Sequence, residues 1–244
     1  MKNKLYYHFY IPNEPSHWEL LLYEQLDCIE GSSLHHQCDV EICVSSNQEK
    51  YKKLQKIIKS YPFLNSSWFD IISNGNYFEG PTLLKLYDEC DSYDNVGYIH
   101  SKGMTSLSKK VNRWRKVLEY GVIEKWKDNI DALNNGHDVS GIFYRKWRHQ
   151  NYFYSGNFWW AKSLYIKTLK KPTLDYWKVD FNGDEILWNS RHRYEVWIGS
   201  KNPKGYDVYP IKSASTSDQL NEYSLNIKRK TILNFPNEKN IYYS

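Results

Sequence analysis

The first hundred residues alternate between short β-branched or aromatic runs and longer segments in which apolar residues recur at helical spacing. Since the former favour strands and the latter favour helices, this stretch predicts four strands with a helix between successive strands. Such alternation is typical of an α/β fold with a parallel sheet and helices on both faces. The predicted strands are residues 5–11, 39–45, 68–72 and 95–99, and the predicted helices are 18–29, a segment around 51–58 that Ser46 or Asn47 can cap, and 82–90.

The second half of the chain has a more mixed pattern. Apolar residues close to a 3.6-residue period predict one long helix over 111–134, which Asn134-Asn135-Gly136 ends. The chain is polar from Ser213 onward, and we expect a single domain over residues 1–212 followed by a loosely docked tail over 213–244. The other predicted elements are strands at 138–144, within 151–166, at 194–198 and at 206–210, and a short helix at 184–189.

Composition excludes several classes of protein. Aromatic residues make up 17% of the 244-residue chain, whereas disordered chains are poor in aromatics, so we expect a folded core built largely from rings. No apolar run approaches the roughly 20 residues of a membrane span, and the first residues do not resemble a signal peptide. These features favour a soluble, cytoplasmic protein.

The cysteines and the net charge are less informative. Cys28, Cys38, Cys43 and Cys90 have no zinc-site spacing, so free buried thiols are favoured over disulfides. The formal charge of +5 suits an anionic ligand or a peripheral membrane association, but it is also ordinary for a chain rich in lysine and asparagine.

Ligands of parallel α/β sheets bind beyond the carboxyl ends of the strands, so the segments after the predicted strands are the places to look for a site. His100-Ser101-Lys102-Gly103 follows the fourth strand, and its lysine and hydroxyl suit an anion such as a diphosphate. A solvated turn is the alternative. Asn74-Gly75 and Glu79-Gly80-Pro81 follow the third strand, where a helix start can bind an anion or simply begin the helix.

Two later segments carry further candidates. In Asn157-Phe158-Trp159-Trp160, adjacent rings of a strand point to opposite sides, so one ring can face a sugar while the other is buried, or both can be core residues. Asp184 and Glu185 are suited either to the start of a helix or to proton transfer, and Glu195 is a further carboxylate near Arg191 and Arg193.

Five short motifs occur in order between residues 5 and 200. They are Ser73-Asn74-Gly75, Tyr98-Ile99-His100-Ser101-Lys102-Gly103, Trp114-Arg115, Ser155-Gly156-Asn157-Phe158-Trp159-Trp160-Ala161 and Arg193-Tyr194-Glu195-Val196-Trp197-Ile198-Gly199. Together they resemble a group of GT-A-type glycosyltransferases found in bacterial surface-polysaccharide loci and large DNA viruses, and more distantly the rhamnan-synthesis transferases.

The resemblance implies a GT-A-like fold that moves a sugar from a nucleotide-diphosphate donor to a hydroxyl of a glycan acceptor. The donor half would be about 1–110 and the acceptor half about 111–212. For an inverting transfer we expect Glu185 as the base, ahead of Asp184, with Glu195 in reserve. The expected donor-binding residues are Pro12, Asn74, Gly75, His100, Ser101 and Lys102, and the expected acceptor-binding residues are Asn157, Trp159 and Trp160.

One departure from the resembled enzymes concerns the metal. Many GT-A enzymes carry an Asp-x-Asp motif after the fourth strand that holds Mn or Mg, but this chain has His100-Ser101-Lys102 there. We therefore expect the protein to supply the positive charge itself, with His100 as a candidate ligand if a divalent metal is used. A non-catalytic carbohydrate- or nucleotide-binding protein on the same fold is the alternative function. A nucleic-acid binder is disfavoured because acidic and basic residues are interleaved.

Overall fold

The computed structural model describes residues 1–70, 78–104, 108–147, 151–174, 179–181, 184–186 and 192–209. The strands in these ranges are β1 Asn3–Tyr10, β2 Cys38–Ser46, β3 Leu64–Asp70, β4 Asn95–His100, β5 Val139–Gly141, β6 Tyr144–Trp147, β7 Asn151–Tyr154, β8 Trp159–Lys162, β9 Val179–Phe181, β10 Asp184–Ile186 and β11 Gly205–Asp207. The helices are α1 Trp18–Gly31, α2 Gln48–Ile58, α3 Gly80–Glu89, α4 Lys109–Glu119, α5 Trp126–Asn134, α6 Ser163–Ile166 and α7 His192–Trp197, with short 3-10 turns at Leu34–His36 and Cys90–Ser92.

Seven strands form the central sheet in the order β11-β5-β8-β4-β1-β2-β3. All neighbours are parallel except β8, which runs antiparallel to both β4 and β5. The predicted fold class, a mostly parallel sheet flanked by helices, is confirmed. The chain passes from β1 outward to β2 and β3 and then returns to β4 on the other side of β1, so the strand order reverses between β1 and β4. A reversal of this kind opens a crevice at the carboxyl ends of the two strands.

Aromatic side chains fill the core on both faces of the sheet, as the composition predicts. Tyr7 and Phe9 of β1 point to one face, while Tyr6 points to the other, and all three are fully buried. Trp159 and Trp160 of β8 divide between the two faces in the same way. Successive residues of a strand alternate in direction, so one strand contributes rings to both layers of the core.

The long helix predicted over 111–134 is interrupted by a π-helical turn at Tyr120–Glu124. Trp160 Nε1 donates to the carbonyl oxygen of Val122 at 2.9 Å, and Asn129 Nδ2 donates to that of Gly121 at 2.8 Å. These side chains bond carbonyls that a regular helix would use internally, and inserted side chains are a known cause of such breaks. The pattern of apolar residues could not show this interruption.

Two late elements differ from the sequence prediction. Residues 194–198, predicted as a strand, lie mostly in helix α7, in which Tyr194 and Trp197 are both completely buried one helical turn apart. Residues 184–186, predicted to begin a helix, instead form β10, which pairs antiparallel with β9. The Asn-Gly sequence between these strands favours a hairpin.

Other predictions have mixed outcomes. Asn47 caps α2, since its side chain accepts a hydrogen bond from the backbone N–H of Lys50. Strand β3 begins four residues earlier than predicted, and residues 71–72 and the polar tail predicted from Ser213 lie outside the described residues. All four cysteines are free thiols. Within the described ranges, no helix has the length and apolar character needed to cross a membrane.

Candidate active site at the carboxyl edge of the sheet

The carboxyl ends of β1 and β4 are joined by Ser101. Its backbone N–H donates to the carbonyl oxygen of His8 at 2.9 Å, and its hydroxyl oxygen accepts from the N–H of Tyr10 at 3.0 Å. The Ser101 hydroxyl, which we predicted to bind the donor, is therefore buried. Its hydrogen bond holds the ends of β1 and β4 side by side. This places the turn that contains Lys102 at the mouth of the crevice.

Lys102 is half-buried, and its ammonium group lies over the indole ring of Trp114, 3.9 Å from the ring centroid. Trp114 belongs to α4, so the contact links the turn after β4 to that helix. A cation over an aromatic face is attracted by the ring electrons, which also shield part of it from water. The arrangement holds a positive charge beside the end of β4.

Glu79 immediately precedes α3, and its side chain is only 14% exposed. One carboxylate oxygen, Oε2, accepts hydrogen bonds from the Tyr98 hydroxyl at 3.1 Å and from Asn157 Nδ2. Burial, followed by the negative charge of Glu195, raises the pKa of Glu79 to about 7, although Asn157, Lys102 and Tyr98 act in the opposite direction. A carboxyl group with such a pKa exchanges protons near neutral pH.

His100 lies between Glu79 and the chain segment that precedes β8. Its Nε2 atom is 2.9 Å from the carbonyl oxygen of Gly156. Because a carbonyl only accepts, this contact assigns a hydrogen to Nε2. The other ring nitrogen, Nδ1, faces Glu79 Oε1 at 3.8 Å. The imidazole is 15% exposed and can therefore be reached from the crevice.

Gly156 links His100 to a second carboxylate. While its carbonyl oxygen faces His100, its N–H donates to Glu195 Oε1 at 2.7 Å. Gly156 has a φ of 98° and a Cβ there would lie 2.7 Å from Leu118, so a side chain is excluded by both conformation and space. The backbone at Gly156 thus holds an imidazole and a carboxylate on opposite sides.

The start of α3 is in close contact with the side chain of Tyr194 in α7. A Cβ on Gly80 would lie 2.5 Å from the Tyr194 hydroxyl, so a side chain at this position would require Tyr194 to move. Glu79 and Glu195 are the neighbours of these two contact residues in the chain. The contact therefore lies beside the two carboxylates, and the negative charge of Glu195 acts on Glu79.

His8 is a buried residue next to the site. It is 3% exposed, and its Nδ1 atom is 2.8 Å from the hydroxyl of Thr82 in the first turn of α3. Burial and the neighbouring His100 lower the pKa of His8 to about 3, so this imidazole is neutral at physiological pH. Of the two histidines at the ends of β1 and β4, only His100 is open to the crevice.

The arrangement suits proton transfer beside an anion. Two carboxylates in different surroundings are the usual basis for separate acid and base roles, and Lys102 supplies a fixed positive charge. The described residues contain no group of three histidine, cysteine or acidic side chains arranged to hold a metal ion. Glu79 and His100 are a pair of potential ligands among the described residues, and the metal dependence of the protein stays a prediction.

The predicted donor residues are partly assembled. His100, Ser101 and Lys102 lie together at the crevice, as their positions after β4 imply. Pro12 is buried after β1, with its carbonyl oxygen bonded by Lys50. Asn74 and Gly75 lie outside the described residues.

The predicted acceptor residues are buried. Trp159 and Trp160 are both completely buried, so the expectation that one ring faces the crevice is corrected, and the alternative that both are core residues applies. The two sheet faces are each covered by helices, which leaves no open side for either ring. Asn157 is 1% exposed, and it donates to Glu79 while accepting from Trp159 Nε1 at 2.8 Å. Asn157 is therefore a buried residue that holds the carboxylate of Glu79 in place.

The three predicted base candidates lie on two different elements. Asp184 and Glu185 lie on β10, in the small two-stranded sheet with β9, whereas Glu195 is bonded to Gly156 beside His100. Sequence reasoning treated Glu79 only as part of a helix start. The available signal was its position beyond a predicted strand, at the edge where ligands bind, two residues before Pro81.

The similarities to known proteins concern the whole chain rather than the site alone. No curated protein is similar enough to match. The solved structure of 4-diphosphocytidyl-2C-methyl-D-erythritol synthase from Anaerococcus prevotii is 10% identical, with a TM-score of 0.43 over 93% of this chain and 99% of that one. A similarity of this size says nothing about the chemistry of the chain. A family model described as "Domain of unknown function (DUF8361)" matches residues 6–203, and the chain belongs to that family.

Proposed function

We propose that the protein is a glycosyltransferase that moves a sugar from a nucleoside-diphosphate donor to a hydroxyl group of a glycan. The observation that carries the proposal is the meeting of Lys102, His100, Glu79 and Glu195 where the strand order reverses. The motif resemblance supports the same reaction class. Sugar transfer requires positive charge for the departing diphosphate and a carboxylate for the attacking hydroxyl, and both are present within one crevice.

The donor diphosphate binds beside Lys102 and His100 in this proposal. The bond between the anomeric carbon and the diphosphate oxygen breaks, and negative charge develops on that oxygen. Lys102 stabilises the charge directly, and His100 adds a hydrogen-bonding or cationic group. The Oε1 atom of Glu79 lies 3.8 Å from the Nδ1 atom of His100. The positive groups of the chain thereby perform the neutralisation that a metal performs in many related folds.

Glu195 is the proposed base. It is half-buried beside the crevice, and the N–H of Gly156 fixes one of its oxygens. As the acceptor oxygen attacks the anomeric carbon, the hydroxyl proton passes to Glu195 and the diphosphate leaves. This assignment replaces our preference for Glu185, because the contact with Gly156 connects Glu195 to His100. Glu185 and Asp184 remain candidates to be tested in parallel.

The test is hydrolysis and transfer from a panel of nucleotide sugars, with and without EDTA. We expect turnover of at least one donor that persists in EDTA. Lys102→Ala should weaken binding of the nucleoside diphosphate by tenfold or more and leave nucleoside binding nearly unchanged. Lys110→Ala, which alters an exposed lysine at the start of α4, is the matched control. Loss of all donor binding in EDTA, restored by Mn, would contradict the metal-free proposal.

Single variants at the three acids distinguish the bases. Glu195→Gln should reduce turnover by orders of magnitude while donor affinity stays within about threefold, whereas Glu185→Gln and Asp184→Asn should retain turnover. Retained turnover in Glu195→Gln would remove this residue from the mechanism. Tight nucleotide binding without turnover of any donor would favour the non-catalytic alternative. No nucleotide binding at all would overturn both the transferase and the nucleotide-binding alternative.

A further inference from the structure

One lysine of α2, Lys50, makes several contacts with the loop between β1 and α1. The ammonium nitrogen of Lys50 contacts three consecutive backbone carbonyl oxygens of that loop, those of Pro12, Asn13 and Glu14. The contacts to Asn13 and Glu14 measure 2.7 and 3.4 Å. An ammonium group has three hydrogen-bond donors and no acceptor, so the three carbonyls of this loop can accept one hydrogen bond from each donor of Lys50.

A second contact fixes the same loop. Asn47 Nδ2 donates to Asn13 Oδ1 at 3.0 Å, while Asn47 Oδ1 caps α2 by accepting from the N–H of Lys50. Helix α2 is therefore anchored at its first residues, and both anchoring side chains reach the loop. Three successive carbonyls turned toward one cation define the path of the backbone at residues 12–14. The ammonium group offsets the mutual repulsion of the three carbonyl dipoles and so stabilises this path.

The position of the loop relates it to the proposed donor site. Residues 11–17 follow β1, whose carboxyl end borders the crevice, and Lys50 lies after the neighbouring strand β2. Lys102 lies after β4, on the opposite side of β1. A donor whose diphosphate contacts Lys102 and which extends across the end of β1 would therefore place its nucleoside against the loop held by Lys50.

We propose that Lys50 is a positioning residue that shapes the nucleoside-binding wall of the donor site by holding the carbonyls of Pro12, Asn13 and Glu14. The proposal rests on the proposed function. It assigns Lys50 no contact with the reacting atoms. Its effect is on affinity for the nucleoside part of the donor, and it leaves the diphosphate part to Lys102.

The test compares Lys50→Met with Lys53→Met. Lys53 lies on the same helix, is 59% exposed and pairs with Glu49 at 3.4 Å, so its replacement controls for loss of a charge from α2. Affinities are measured by calorimetry for a nucleoside diphosphate, its nucleoside and inorganic pyrophosphate. In Lys50→Met, we expect tenfold or greater loss for the first two and less than twofold loss for pyrophosphate. Lys53→Met should match the parent for all three.

Chemical rescue separates positioning from general damage. Aminoethylation of Lys50→Cys recreates an ammonium group on a stem of similar length, and it should restore nucleoside affinity to within threefold of the identically treated parent. Thermal unfolding without ligand should be similar in all variants. If Lys50→Met raises KM for the donor and leaves kcat nearly unchanged, positioning of the donor is supported.

The outcomes distinguish the two proposals. If the parent binds the nucleoside and Lys50→Met binds it equally well, the role of Lys50 is overturned while the proposed function stands. Equal losses for nucleoside and pyrophosphate would also overturn it, because they would indicate general disruption of the site. A parent that binds no nucleotide overturns the proposed function and the role of Lys50 together.

Discussion

Replacing Glu79 by glutamine should remove a pH dependence from the stability of the protein. Glutamine has the shape of a protonated glutamate, so the variant resembles the parent with Glu79 held neutral. The side chain is 14% exposed, and burial together with the charge of Glu195 raises the pKa of Glu79 from 4.5 to about 7. The folded protein therefore holds this proton over a pH range in which the unfolded chain has released it.

The sign and size of the effect follow from that difference. Below pH 4.5 the carboxyl group is protonated in both states and has no effect. Between pH 4.5 and about 7 the folded state binds more protons, so the free energy of unfolding of the parent falls as pH rises. The gap between the two pKa values corresponds to about 3 kcal/mol in total. Above pH 7 the parent carries this full penalty and Glu79→Gln does not.

Urea unfolding followed by tryptophan fluorescence, at intervals from pH 4.5 to 8, measures the effect. The quantity of interest is the stability of Glu79→Gln minus that of the parent, because other titrating groups largely cancel in this difference. We expect it to increase by about 3 kcal/mol from the acidic to the alkaline end. Glu49→Gln, at a position where the side chain is 80% exposed, should give a difference that does not vary with pH.

A second variant tests the cause of the shifted pKa. Glu195→Gln removes the neighbouring negative charge, so the pH-dependent effect of Glu79→Gln should become smaller in that background. A difference that stays constant with pH, or that grows toward acidic pH, would refute the reasoning about Glu79. An effect of the same size with and without Glu195 would leave burial as the only cause.

Two further substitutions probe the sheet itself. Lys4→Met should destabilise the protein by roughly 1–3 kcal/mol in urea unfolding, because Lys4 Nζ lies 2.6 Å from Glu41 and 2.8 Å from Glu89, and its loss leaves both carboxylates with Lys85 as their remaining ammonium partner. Gly97→Ala should cost about 1–3 kcal/mol by the same measurement, because a Cβ at the centre of β4 would lie 2.8 Å from the Trp160 ring.

The controls for these variants are matched by the type of substitution. Gly31→Ala adds a methyl group at a helix glycine with no atom within 4 Å and should not lower stability. Lys125→Met removes a lysine from an exposed pair with Asp128 and should change stability by less than about 1 kcal/mol. Full stability in Lys4→Met would show that Lys85 alone compensates the two carboxylates, and full stability in Gly97→Ala would show that Trp160 can move.

The sequence predicted the parts of the fold that local patterns determine. The four parallel strands and the helices between them were readable because each buries one apolar face, and periodicity reports such faces. Residues 194–198 were misassigned because β-branched and aromatic residues favour strands locally, whereas their burial against the sheet requires a helix. The π-helical turn depends on Trp160, nearly forty residues away in the chain, and no local pattern contains that information.

The sequence identified the candidate-site residues that lie at the end of a strand. It did not identify those that packing between distant elements brings together. His100, Ser101 and Lys102 come directly after β4, so the topology alone placed them at the crevice. Glu79 and Glu195 lie next to Gly80 and Tyr194 in the chain, and these two residues are in close contact. That contact joins residues more than a hundred positions apart, so the sequence could nominate Glu195 as one of three acids but could not select it.

The most direct test of the account is a crystal structure with a bound nucleoside diphosphate. The account predicts the ligand at the carboxyl ends of β1 and β4, with a diphosphate oxygen within about 3 Å of Lys102 Nζ and the nucleoside against residues 11–14. Binding at the opposite edge of the sheet, near Asn3 and Trp126, would contradict it. A nucleoside diphosphate bound at the crevice but directed away from Lys102 would equally contradict the proposed role of that lysine.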